Sequence, residues 1–314
     1  MHTLTLMMRE FDLLQHVYEG SVPSDQRVEI PPGDDMAMLR LGGSRLLAAV
    51  DQVIDGRHFR LESTSMELIG RKAITRSLSD IAAMAGRPVA TLAAVVLPPD
   101  FGSHRATALF DAMRDTAAMF DCPLVGGDIA FHADAAHPLT CSVTVLAEPG
   151  PGGAVRRSGA RVGDMVYVTG SLGGSLDADG GGKHLSFTPR INEALELAER
   201  LGDRLHAMID ISDGLGRDAS HIAELSGVHI QLYADRIPVT PGATWRQALS
   251  DGEDYELCFV AARGEVPHTL GKTKVTLVGE IIAASTDNDV RPLVAVLDGS
   301  LVLDATEFGW QHIA

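Results

Sequence analysis

The sequence predicts an α/β protein in two halves. Two observations carry this. Apolar strand-like runs alternate with helically spaced segments on both sides of the chain's middle, the pattern of packed sheet and helix layers. Between the halves, residues 147–153 concentrate two Pro and three Gly, the composition of a linker. The boundary is therefore placed between residues 148 and 149, giving segments 1–148 and 149–314.

In the first half, residues 45–54 ("RLLAAVDQVI") read as a strand. Thr64 with Glu67 resembles a capping box opening a helix that runs to about Ala85. Residues 89–97 ("VATLAAVVL") form an apolar run of the type buried on both faces. Leu109, Phe110, Met113, Ala117 and Phe120 recur at helical spacing. "CPLVGGD" reads as a short strand stopped by a Gly-Gly turn, and residues 139–148 as another strand. In the second half, residues 164–170 are a strand ending at a glycine. Ile191, Ala194, Leu195, Ala198 and Leu201 share a helix face. "HAMIDIS" is a strand, a helix spans Leu215 to Leu225, and "YELCFVA" and "KVTLVGEI" are strands.

Composition excludes several functions. The chain has 314 residues, 45% of them hydrophobic, and a formal net charge of −16 from 42 acids against 26 Lys and Arg. A nucleic-acid binder needs basic faces that this balance lacks. Cys122, Cys141 and Cys258 each lie in an apolar run and read as reduced core residues, not as a zinc site or disulfide framework. No signal-peptide pattern opens the chain, and no run approaches the ~20 apolar residues of a membrane span. The expectation is a cytoplasmic protein with no nucleic acid or membrane partner.

One pattern points to chemistry. Acids recur where apolar strands meet Gly-rich turns: Asp34 and Asp35 in "PPGDDMAML", Asp51 and Asp55 in "VDQVIDGRHF", Asp128 in "VGGDIA", and Asp210 and Asp213 in "AMIDISDGLG". Asp80 lies instead near a helix end, where the dipole disfavours an anion, so it needs a cation, either Arg76 or a metal. Any one of these acids is most simply a turn residue, and Ser212 reads as a cap for the helix near Leu215. The recurrence changes the balance, because gathered carboxylates repel unless neutralised, and Mg²⁺ accepts carboxylate oxygens and bridges substrate phosphates. Standard nucleotide loops are missing. "TLGKTK" puts Val266 where a P-loop needs its first glycine, and "GGGKHL" puts His184 where Ser or Thr belongs. Residues 171–184 read equally as a flexible loop or as a mobile lid with Lys183 as a phosphate contact. Arg156 and Arg157 suit a surface ion pair or a nucleotide phosphate. Glu253 and Asp254 mark a strand entry or a polar handle on a substrate.

In order, "PPGDDMAML", "VDQVIDGRHF", "GRKAITRSLSDIAAMAGRP", "LVGGD", "RRSGARVGDMVYVTGSLGGS", "IDISDGLGRDASHIA", "SGV" and "GEDYELCF" resemble the thiamine-monophosphate kinase family, in the superfamily of aminoimidazole ribonucleotide synthetase and selenophosphate synthetase. The closing "GWQHIA" resembles that family's aromatic end. The resemblance implies transfer of the ATP γ-phosphate to thiamine monophosphate with several Mg²⁺ ions. It implies an N-terminal mixed-sheet domain that pairs across a homodimer and a C-terminal α/β sandwich that completes the ATP and thiamine phosphate site. It assigns metal binding to Asp34, Asp51, Asp80, Asp128, Asp210 and Asp213, and ATP contacts to Gly127, Asp128, Arg157 and Ser212. Thiamine phosphate contacts fall to His58, Glu253 and Trp310. No general base is implied, because the accepting phosphate oxygen is already ionised. The chain departs from the family at Val50 and Gln52, which replace hydroxyl residues around Asp51, at Ile129 for a common Thr, and at Asp251. Its cysteines and its "QHIA" end fit neither selenophosphate synthetase nor the related hydrogenase maturation protein. An aminoimidazole ribonucleotide synthetase-like enzyme and a non-catalytic Mg-ATP sensor are the alternatives.

Overall fold

The computed structural model describes residues 26–134, 136–284 and 292–309. The first half forms a six-stranded sheet in the order β1-β2-β3-β6-β4-β5. Its strands are β1 (Val28–Ile30), β2 (Ala37–Leu41), β3 (Ser44–Ile54), β4 (Gly86–Leu97), β5 (Leu124–Phe131) and β6 (Thr140–Pro149). Helix α1 (Met66–Ala83) links β3 to β4, and α2 (Ser103–Met119) links β4 to β5. Only the β4–β5 pair is parallel, and α2 is the crossover such a pair requires. The helices pack closely because Gly70 has no side chain: a Cβ there would lie 2.8 Å from the Leu109 carbonyl oxygen.

The structure departs from three local expectations. The N-cap of α1 is Ser65, which accepts from Leu68 N, while the Thr64 hydroxyl instead accepts from Arg60 N. Strand β4 is not buried on both faces. Ala93, Val95 and Leu97 are buried, whereas Leu92 is 37% exposed and Val89 41%, because no layer among the described residues covers the sheet's second face. Strand β5 does not stop at Gly126-Gly127 but runs through to Phe131. It passes because Gly127 lacks a Cβ, which would sit 1.8 Å from the Ala93 carbonyl oxygen.

The second half builds a mixed sheet in the order β14-β13-β9-β12-β7-β10-β8, with β11 (Thr269–Leu270) paired on β12. The strands are β7 (Met165–Thr169), β8 (Leu205–Asp210), β9 (His229–Tyr233), β10 (Leu257–Ala261), β12 (Thr273–Ile282), β13 (Val294–Asp298) and β14 (Leu301–Asp304). The helices are α3 (Ile191–Leu201), α4 (Leu215–Ser226) and α5 (Trp245–Ser250).

Strand β10, between β7 and β8, is buried at every position, and its period-two alternation divides the core. Leu257, Phe259 and Ala261 join a cluster shared with Ile69, Leu78 and Val145 of the first half. Cys258 and Val260 face the other way, toward Leu215 and Ile222 of α4. The second sheet is thus covered on one face by α4 and on the other by the first half. The connection between the halves is held as well, since Val155 N donates to the Met84 carbonyl. All three cysteines are free and buried. No helix among the described residues is long and apolar enough to cross a membrane.

Candidate functional site

Three carboxylates converge where the halves meet. Asp35 lies between β1 and β2, Asp80 in the last turn of α1, and Asp210 at the end of β8. One carboxylate oxygen from each lies within 4.8 Å of the other two. The Ser79 hydroxyl donates to Asp210 Oδ2 at 2.6 Å. Arg157 Nη2 donates to Asp35 Oδ1 at 2.7 Å, and Arg157 N to Asp34 Oδ1 at 3.1 Å. Asp35 Oδ2 is buried and meets no hydrogen-bond donor among the described residues. Burial, then repulsion from Asp35, pushes Asp210 up to about 7. Burial raises Asp80 well above the usual carboxylate range, with added repulsion from Asp51, Asp210 and Asp35. Asp34 is raised by burial and by Asp35. An all-carboxylate oxygen set in which Asp80 and Asp210 resist ionisation, with one Asp35 oxygen unsatisfied, fits a hard divalent cation such as Mg²⁺.

The loop after β8 is fixed from both sides. Ile211 N donates to the Glu256 carbonyl at 2.7 Å. Ser212 N and Asp213 N both donate to Asp218 Oδ2 at 3.0 Å. Ser212 is therefore not the cap of α4. The N-cap is Gly214, where a Cβ would lie 2.4 Å from the Leu249 carbonyl oxygen. Ser212 and Asp213 are half-buried beside Asp210, outside the three-carboxylate group.

The remaining expected residues are spread around this centre. Asp51 on β3 pairs with Arg76 Nε at 3.5 Å, and Arg76 also lies 3.8 Å from Glu253. Burial pulls the Arg76 guanidinium down, but Tyr255, Asp51 and Glu253 outweigh it and raise it above its ordinary value. Gly127 and Asp128 are exposed on β5. Val50 and Gln52 are exposed on β3, flanking the half-buried Asp51, so both departures point away from the side chain they surround. Trp310 lies outside the described residues.

A second cluster was not expected from the sequence. Lys72 on α1 is fully buried. Its Nζ donates to the His58 carbonyl at 2.7 Å, to His184 Nδ1 at 2.6 Å and to both Glu253 oxygens at 2.8 Å. Burial pulls the Lys72 ammonium down to about 8 despite Glu253. Burial acts to raise Glu253, yet the adjoining His184 ring and the Lys72 ammonium hold it near 2. The two shifts are unequal because Glu253 gathers several donors, whereas one anion serves Lys72.

The acids around Glu253 grip the Gly-rich segment. Asp251 accepts from Gly174 N at 2.9 Å. Asp254 accepts from Gly173 N, from the Ser175 hydroxyl at 2.5 Å, and from Lys183 at 2.9 Å. Glu256 takes the Thr169 hydroxyl and Arg190. Glu253 and Tyr255 both hold φ of +52°, a strained conformation for such side chains. Residues 171–184 are thus docked in this structure, and Lys183 is engaged with Asp254 and the Ser171 carbonyl.

Known proteins resemble this chain over most of its length. The family models for AIR synthase related protein, N-terminal and C-terminal domains, match residues 33–148 and 161–287. A thiamine-monophosphate kinase of Mycobacterium tuberculosis is 34% identical over 84% of this chain and 84% of its own. That of Escherichia coli K12 is 33% identical over 97% of this chain and 98% of its own. The solved structure described as AaThiL complexed with AMPPCP and TMP superposes with a TM-score of 0.79 at 26% identity, covering 99% of this chain and 100% of that one. The hydrogenase maturation protein HypE shares the fold at 16% identity, with a TM-score of 0.65 over 86% of this chain and 94% of its own. The two family domains, the level of identity and the carboxylate centre between the halves together assign the chain to the AIR synthase related family and, within it, to the thiamine-monophosphate kinases.

Proposed function

We propose that the chain transfers the terminal phosphate of ATP to thiamine monophosphate, giving thiamine diphosphate and ADP. The relatives carry that activity in their names, and one solved neighbour is described with AMPPCP, an ATP analogue, and TMP. The observation within this chain that carries the reading is the convergence of Asp35, Asp80 and Asp210, with Asp210 buried and the other two partly so. These three would hold Mg²⁺, with Asp34, Asp51, Asp128 and Asp213 as the surrounding acids. Bound Mg²⁺ supplies neutralisation of phosphate charge, which an acidic chain needs in order to hold two anionic substrates.

The chain's own residues do the positioning. Arg157 orients Asp35 and lies beside Asp34, and with Gly127, Asp128 and Ser212 it is assigned to the ATP side. Glu253 and His58 are assigned to thiamine monophosphate, together with Trp310. Neither side requires a general base, since the attacking phosphate oxygen is ionised near neutral pH. Catalysis is then alignment of two bound polyanions in a fixed geometry. Homodimer formation is part of the proposal. The bare second face of the first sheet and the exposed edge strand β5 support it. A cytoplasmic location completes it.

The test is a coupled ADP-release assay with thiamine monophosphate and Mg²⁺, run on the wild type and on Asp210→Asn. Thiamine monophosphate-dependent turnover that Asp210→Asn abolishes is expected. ATP binding without turnover in the wild type would instead favour a sensor, and full activity in Asp210→Asn would remove the metal centre from the mechanism.

A further inference from the structure

Lys72 contributes one ammonium to two groups from different halves of the chain. His58 follows β3, and Glu253 precedes β10, 181 positions after Lys72. A lysine ammonium has three N–H donors. Here three residues receive them: the His58 carbonyl, His184 Nδ1 and the Glu253 carboxylate. The His184 ring joins this set on both sides, since Nδ1 also lies 3.0 Å from Glu253 Oε2 and Nε2 lies 3.0 Å from the Gly181 carbonyl oxygen. The segment carrying His184 is joined to α1 a second time, where Arg71 Nη2 donates to the Phe187 carbonyl at 2.6 Å. His58 and Glu253 are the two described residues assigned above to the acceptor substrate. One buried cation therefore sets the distance between them and ties both to the docked Gly-rich segment.

We propose that Lys72 is a positioning residue for the acceptor side of the site: it fixes Glu253 and His58 relative to each other and holds residues 171–184 against them through His184. This rests on the kinase reading and on the acceptor role of Glu253 and His58. Lys72 does not touch the three-carboxylate group. Its loss should therefore weaken the acceptor and leave the nucleotide side largely intact. A buried lysine serving only the stability of α1 would affect both substrates alike or neither.

The experiment is steady-state kinetics of the full chain with both substrates varied, on Lys72→Met, Glu253→Gln and the double variant. The expected result is a KM for thiamine monophosphate raised about tenfold or more in Lys72→Met, as for truncation of one member of a buried ion pair, with KM for ATP within about twofold of wild type. The double variant should lose less than the sum of the two single variants, because both break the same Lys72–Glu253 contact. An unchanged KM for thiamine monophosphate, equal rises for both substrates, or additive losses would each overturn the proposal. Should Lys72→Met not fold with Glu253 left buried and unpaired, Lys72→Gln with Glu253→Gln forms a neutral pair. That pair should match Glu253→Gln in KM for thiamine monophosphate, and a further large rise would overturn the proposal. A wild type without thiamine monophosphate-dependent turnover would defeat the kinase reading itself, a result distinct from any of these.

Discussion

The Ser79 hydroxyl donates to Asp210 Oδ2 across the junction of the two halves, at 2.6 Å. Both residues are almost fully buried. The bond occupies one oxygen of Asp210 and orients the carboxylate beside Asp35 and Asp80. A helix of the first half thereby aims a carboxylate of the second. The candidate metal centre is thus a product of the junction, beside an apolar cluster that both halves share.

Ser79→Ala removes that bond without adding bulk. Mg²⁺ affinity, read by calorimetry in the presence of AMPPCP, should fall about tenfold or more, the usual cost of losing a group that orients a metal ligand. Thermal stability of the metal-free protein should change much less than for a large-to-small core substitution. Unaltered Mg²⁺ affinity would show that Ser79 does not set the Asp210 orientation.

Asp80→Asn should trade activity for stability. Burial and the nearby Asp51, Asp210 and Asp35 disfavour the Asp80 carboxylate in the folded protein. A neutral amide of the same shape relieves that repulsion. In EDTA at neutral pH the variant should melt a few degrees higher than the wild type, while kinase activity at saturating Mg²⁺ is lost. A lower melting temperature in EDTA would mean that the carboxylate is held by favourable contacts, not by a cation that only the metal supplies.

Part of this centre was legible because acids recur at strand ends, Asp210 among them, and because Asp80 near a helix end calls for a cation. The choice between Asp34 and Asp35 was not legible. Adjacent residues differ only in which way the turn rotates them, and it is Asp35 whose oxygen joins Asp80 and Asp210, while Asp34 receives Arg157 N. Lys72 was hidden for another reason. Helix α1 is buried around most of its circumference, so no polar stripe marks where a lysine faces water, and its acceptors come from remote segments. Strand β4 misled by composition: an apolar run reads as buried on both faces whether the second cover is a layer of the same chain or none at all. The Gly-Gly pair in β5 likewise carries turn composition, yet its role is to let Gly127 approach the Ala93 carbonyl.

Strand β5 carries the dimer prediction. Val125, Ile129 and Phe131 are 62%, 52% and 65% exposed on an edge strand, and Val50 is 63% exposed on the same sheet. Unpaired edges and bare apolar faces are normally covered or blunted by charge. Ile129→Glu should shift the protein toward monomer in sedimentation velocity while its circular dichroism stays that of the folded chain. A wild type that sediments as a monomer at all concentrations would end the homodimer reading.

His221 on α4 sets a pH dependence. Burial, then the positive charges of Arg157 and Arg217, lowers it from 6.5 to about 3. The folded state thus binds the His221 proton more weakly than the unfolded chain does. The sign follows: this contribution to stability is fully present above pH 6.5 and is lost progressively as pH falls toward 3. Other groups titrate in the same window, so the difference between two proteins isolates the effect. His221→Gln, which carries no titrating ring, should lose less stability than the wild type in urea melts between about pH 6 and pH 4. Identical slopes for the two proteins would show that His221 titrates normally in the folded state, and the loss of stability in acid would then belong to carboxylates held low in the folded protein, such as Glu253.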